Sequence, residues 1–130
     1  MFAIVSWRSS VKAESVFEVD QMLDSITSEV SPDLPQAVQV ERANGDSLTI
    51  VLGAKEGCIL SFVASLGDPP YFVSLGDPTA KGIFTYYVAL EHHTEALASN
   101  VISEAKARQA VREFLSRSPE LPSSVTWTEV

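Results

Sequence analysis

The pentapeptide Ser-Leu-Gly-Asp-Pro occurs twice, at Ser65–Pro69 and Ser74–Pro78, with only Pro70, Tyr71, Phe72 and Val73 between the copies. Gly accepts a positive φ, Asp bonds its own backbone, and Pro has no N–H for a strand ladder, so each copy reads as a turn. A short aromatic and β-branched run held between two turns predicts a strand at Tyr71–Val73 in an antiparallel meander. Asp68 and Asp77 then stand at its two ends, either as a carboxylate pair or as parts of two well-made turns. A strand of about four to six residues spans roughly 15–20 Å. Two carboxylates so far apart cannot share one substrate bond, and the turn reading prevails.

The flanking patterns extend this frame. Phe2 to Arg8 is short, aromatic and β-branched, which predicts a strand closed by Ser9-Ser10. Val19, Met22, Leu23, Ile26 and Val30 recur at helical spacing, with Asp20, Gln21, Asp24 and Ser25 opposite and Ser31-Pro32 as the stop. Val38 and Val40 alternate with polar residues up to Arg42, and Asn44-Gly45 is a hairpin signal into Ser47–Gly53. Lys55-Glu56-Gly57 turns the chain into Cys58–Ala64, and Ile83–Val88 reads as the last meander strand. A second helix begins at the N-cap Ser103. It presents Ala107, Ala110, Val111, Phe114 and Leu115 on one face, with Lys106, Arg108 and Arg112 on or beside the other. Ser118-Pro119 ends it, and Val125–Val130 is a final strand. The predicted order is β-α-β-β-β-β-β-α-β. The fold class is α+β, an antiparallel β-sheet meander with two helices packed mainly on one face.

At 130 residues, with 45% apolar and 20% charged residues, the chain reads as one globular domain over residues 1–130. The net charge of −8, from 17 acids against 9 bases, argues against nucleic acid as a direct partner. It suits a soluble protein that repels its own copies, or one that meets a basic partner. Cys58 is the single cysteine, so neither an internal disulfide nor a C-x-x-C metal pair is available, and its apolar neighbours predict an inert core thiol. The first positive charge, Arg8, follows the apolar start of the chain instead of preceding it, unlike a secretory signal. No apolar run approaches a membrane-spanning length, and a cytoplasmic location is expected.

Chemistry is sparse. His93-Thr94-Glu95 spells H-x-E, the first half of a zinc deaminase signature, but the P-C-x-x-C half is missing. His92, His93 and Glu95 sit together on a segment read as irregular, and such neighbours rarely converge on one ion. Gly76–Gly82 lacks the glycine directly before Lys81 and the Ser or Thr after it that a phosphate loop requires. No nucleophile elbow and no Cys, His and carboxylate set is visible. The expectation is a protein that is not an enzyme, with no metal and no cofactor. Alternation puts Phe84 and Tyr86 on one sheet face and Thr85 and Tyr87 on the other. An exposed Tyr near Asp68, Asp77 and Glu91 would make a protein-binding patch. The same Tyr could equally be an ordinary half-buried ring with its hydroxyl in water.

Six stretches in order resemble a known family: Val19–Asp24, Leu48–Gly53, Gly57–Phe62, Tyr71–Asp77, Ala107–Leu115 and Val125–Glu129. Together they resemble immunity protein family one of bacterial polymorphic toxin systems, over nearly the whole chain. The chain departs from the pattern at Ser116–Pro122, where a Gly-containing turn is common. The resemblance implies a small α+β protein, encoded beside a toxin gene, that neutralises that toxin by binding it, with nucleic acid deaminases frequent among such toxins. It carries over no defined binding residues. The expected function is therefore a monomeric immunity protein that occludes the active site of a basic cognate toxin in a 1:1 complex. Contacts are expected from Asp68, Tyr71, Asp77, Tyr86 and Glu91. The competing readings are a small acidic adaptor or secretion chaperone, and an enzyme built around His92, His93 and Glu95.

Overall fold

Period-two alternation divides the molecule into two sides. In the computed structural model, which describes residues 2–116 and 121–130, strand β3 (Gln36–Arg42) buries Gln36, Val38, Val40 and Arg42 on one face and turns Ala37, Gln39 and Glu41 to the other. Strand β4 (Ser47–Leu52) pairs with it antiparallel, Val38 opposite Ile50 and Val40 opposite Leu48, so the apolar rows coincide. Strands β1 (Ala3–Ser6) and β2 (Ser10–Ala13) extend the sheet on one side. Strands β5 (Leu60–Val63), β6 (Phe72–Leu75) and β9 (Thr126–Glu129) extend it on the other. The resulting path is β2-β1-β3-β4-β5-β6-β9, antiparallel throughout.

Helices α1 (Val16–Glu29) and α2 (Glu104–Ser116) both cover the apolar face. Ser15 caps α1 by accepting from the Glu18 N–H, an amide that the helix start leaves open, while the Glu18 carboxylate accepts from the Glu14 N–H just ahead of the cap. Val19, Leu23 and Ile26 from α1 and Ala107, Ala110, Val111 and Phe114 from α2 fill the main core against Val38, Val40, Leu48, Ile50 and Leu60. Each fully buried Val, Leu or Ile contributes about 1.5–3 kcal/mol. The α+β class and the two helices are those predicted from the sequence, and every predicted element occurs in its predicted order.

The structure adds two strands and redirects one. β7 (Ile83–Val88) does not continue the meander beside β6. It forms a hairpin with β8 (His92–Leu97) and touches the main sheet through one parallel bridge, Gln36 to Tyr87. This hairpin lies across the helix-free face, where Phe84 joins Val51 and Ile59 in a second, smaller core with Tyr86 and Ala96 packed against it. His92, His93 and Glu95 therefore sit on a regular strand, not an irregular segment. The predicted stop at Ser118-Pro119 lies outside the described residues.

The two Ser-Leu-Gly-Asp-Pro copies do different things. The first is a loop, in which Gly67 has φ +74° and the Ser65 N–H donates to Asp46. In the second, Ser74 and Leu75 belong to β6, one residue pair further along than predicted. Ser74 is fully buried, its Oγ donating to the Asn100 carbonyl and accepting from the Leu60 N–H. A hydroxyl satisfied in this way can occupy a core strand position, which the turn reading of the motif hides.

Candidate partner-binding surface

The acids of α1 are all partnered within the chain. α1 contains four acids and no base, yet each of the four has a partner. Arg108 reaches Asp24 at 2.9 Å and Asp20 at 3.3 Å, Arg112 meets Asp20 at 2.9 Å, and Arg8 meets Glu29 at 3.4 Å. Glu18 is the capping carboxylate. Arg108, placed by the sequence pattern on or beside the polar face of α2, is only 8% exposed and locks the two helices together. A third arginine, Arg42, is also buried. It donates to the Phe114 carbonyl at 2.7 Å and to Asp46, with its guanidinium 4.3 Å from the Phe114 ring centre. Burial works to raise the Asp46 carboxyl, but hydrogen bonds from Arg42, from the Ser65 N–H and from Asn44 outweigh it and hold the group below its usual value.

The helix-free side differs. The carboxylates of Glu41, Asp68 and Glu91 have no hydrogen-bond or ion-pair partner among the described residues, and Glu41 stands on the helix-free face of the sheet. Gln39, Thr49 and Ser6 from that face line a concave site of about 310 Å³ with Tyr86, Val88 and Ala89 of the hairpin. Burial raises the Tyr86 phenol above its usual value, so Tyr86 is a neutral hydroxyl at the corner where hairpin and sheet meet.

The five predicted contact residues are distributed over this architecture. Tyr86 lies in the concave site, and Glu91 ends the three-residue hairpin turn whose first residue, Ala89, lines it. That turn holds Ala89 and Leu90 at positive φ, 52° and 75°. Asp68 and Tyr71 share the loop before β6, where the Tyr71 hydroxyl donates to the Gly67 carbonyl at 2.6 Å. Alternation from Val73 puts Tyr71 on the helix-free side. Asp77 stands beyond the other end of β6. Its carboxylate accepts from the Thr79 hydroxyl and N–H, which lower its affinity for a proton. Tyr86 and Glu91 are thus associated through the hairpin, Asp68 and Tyr71 through the loop, and Asp77 belongs with neither group.

Sequence reasoning did not single out Glu41, Gln39 or Thr49. Their signal was present in the alternation of β3 and β4, whose polar rows remain uncovered beyond the hairpin. His93 and Glu95 share the outer face of β8, Nε2 to Oε2 at 3.9 Å, while alternation puts His92 on the other face, where it too is exposed. Among the described residues no three His, Cys, Asp or Glu side chains are grouped to hold a metal ion. Cys58 is buried, and burial, with the Glu104 charge adding, pushes its thiol up to about 12. Among the described residues no helix is long and apolar enough to cross a membrane.

These features define a class: a small acidic α+β protein with helices on one side of an antiparallel sheet and a hairpin on the other. The family model of immunity protein Imm1 matches residues 8–129, and the chain belongs to that family. It is an immunity protein, whose family role is to bind a cognate toxin. No curated protein matches the chain.

Proposed function

We propose that the chain, acting as a single domain, neutralises a nucleic acid deaminase toxin in the cytoplasm by covering its substrate groove in a 1:1 complex. The observation that carries this reading is the asymmetry of charge. Every acid of α1 has a partner, in α2, at Arg8 between β1 and β2, or at the start of the helix itself, whereas Glu41, Asp68 and Glu91 present carboxylates without one among the described residues. A toxin that holds a polyanion needs a groove lined with Lys and Arg. Unpaired carboxylates would occupy such a groove in place of phosphates and would speed encounter by steering. Asp68, Tyr71, Tyr86 and Glu91 are the proposed contacts on this side, with Asp77 as an outlying one. The inhibition is stoichiometric and needs no catalytic step by the chain itself.

Competition tests this. With the toxin domain encoded by the neighbouring gene immobilised, a single- or double-stranded oligonucleotide and this chain should exclude each other. A ternary complex that still deaminates the oligonucleotide would instead identify an adaptor or chaperone.

A further inference from the structure

The outer face of the β7–β8 hairpin sets two exposed aliphatic side chains side by side. Ile83 and Leu97 are directly opposite each other across the hairpin, and they are 63% and 61% exposed. Cross-strand partners whose side chains meet water on both strands gain little from pairing, and an exposed apolar pair at a sheet edge invites association. The next outward pair is Thr85 with Glu95, and the next is Tyr87 with His93, whose rings meet edge to face at 5.8 Å. One face thus carries two aliphatic residues at one end, a ring pair at the other and a half-exposed carboxylate between them. The opposite face of the same hairpin rests on the molecule, with Phe84 inside the second core and Tyr86 half-buried against it. The arm is held rigidly from beneath while its outer row stays uncovered.

We infer that this outer face is the central contact of the chain with its toxin, and that it fits a basic surface carrying an apolar depression. Ile83 and Leu97 fill the depression, and Glu95 meets a Lys or Arg at its rim. The charge complementarity rests on Glu95 and on Glu91 at the hairpin turn, within a chain of net charge −8. Buried apolar and aromatic anchors ringed by polar groups are the composition from which interface hot spots are made. The inference rests on the toxin-binding reading above and assigns that reading to particular side chains.

The test compares affinities for the neighbouring gene's toxin domain, rendered inactive by substitution and measured by calorimetry or surface capture. The variants are Ile83→Thr with Leu97→Thr, which keeps strand propensity, and Glu95→Lys alone. Phe17→Ser, on the exposed helix side, is the control. The expected result is at least a thirtyfold loss of affinity for the double variant and for Glu95→Lys, with Phe17→Ser within threefold of the unaltered chain. Glu95→Lys keeps the test decisive should the double variant unfold, because it alters only an exposed carboxylate. Unchanged affinity in both hairpin variants, beside a tightly binding unaltered chain, would overturn the hairpin assignment and leave toxin binding standing. Failure of the unaltered chain to bind would overturn both.

Discussion

Two glycines in identical pentapeptides should respond to alanine to different degrees and for different reasons. Gly67 has φ +74° and nothing within 4 Å of the position a Cβ would take. Gly67→Ala therefore costs only the left-handed backbone penalty, about 1–2 kcal/mol, and Gly67→Asn costs less because Asn tolerates that region. Gly76 has the reverse problem. A Cβ there would lie well inside the 3.0 Å limit from the Val101 carbonyl oxygen, a backbone atom that cannot swing aside. The backbone on one side must move, and what it moves is a buried junction. The Gly76 N–H donates to Ser99 at 2.7 Å, the Ser74 hydroxyl to the Asn100 carbonyl at 2.7 Å, and the Asn100 amide to the Ser74 carbonyl at 3.0 Å. Leaving two of these buried groups unpaired costs about 3–5 kcal/mol in all. Urea or guanidinium unfolding followed by Trp fluorescence measures both variants against the unaltered chain. A Gly76→Ala cost no larger than that of Gly67→Ala would refute the reasoning, since it would show that the β6 junction yields without losing its bonds.

Other outcomes follow from the buried charges and the thiol. Arg42→Met should destabilise by about 3–5 kcal/mol, because it leaves the Asp46 carboxylate and the Phe114 carbonyl without their buried donor; denaturant midpoints check this, and a cost below about 1 kcal/mol would contradict it. The Asp46 carboxyl is held below its ordinary 3.8, so it binds fewer protons folded than unfolded at that pH. Its stabilisation is present above about pH 4 and disappears as pH falls through the lowered folded value. Asp46→Asn should accordingly flatten the acid limb of unfolding free energy against pH, although Glu113, lowered chiefly by Ser124, and Asp77 keep part of the slope. Cys58, with its thiol near 12, should resist a disulfide reagent at pH 8 in the folded chain and react promptly in denaturant.

Much of the fold is legible in the patterning of the sequence. The helical stripe of α2 and the alternation of Leu48, Ile50 and Leu52 are strong signals because each buries a continuous apolar face. β2 and β8 gave no such signal. Ser-Val-Lys-Ala is an edge segment with three of four residues exposed, and His-His-Thr-Glu-Ala-Leu acquires strand geometry only from its register with β7. The turn between β7 and β8 was hidden for a related reason. Ala89 and Leu90 adopt the positive φ that Asn or Gly would advertise. Arg108 was misplaced because helix periodicity sorts residues by polarity, whereas its burial depends on Asp20 and Asp24 of another helix. The candidate surface was legible only in pieces. Tyr86 and Glu91 were named from the sequence, but the uncovered row containing Glu41 depends on where the hairpin crosses the sheet, which is a long-range property.

Inhibition by the whole chain tests the central claim most directly. The purified chain is titrated into the neighbouring gene's toxin domain at concentrations well above the dissociation constant, and base deamination of an oligonucleotide is followed. The account predicts a linear fall in activity that reaches zero at one equivalent, with half the activity left at half an equivalent. A stable complex that continues to deaminate at full rate, or a toxin unaffected by any excess of the chain, would contradict it.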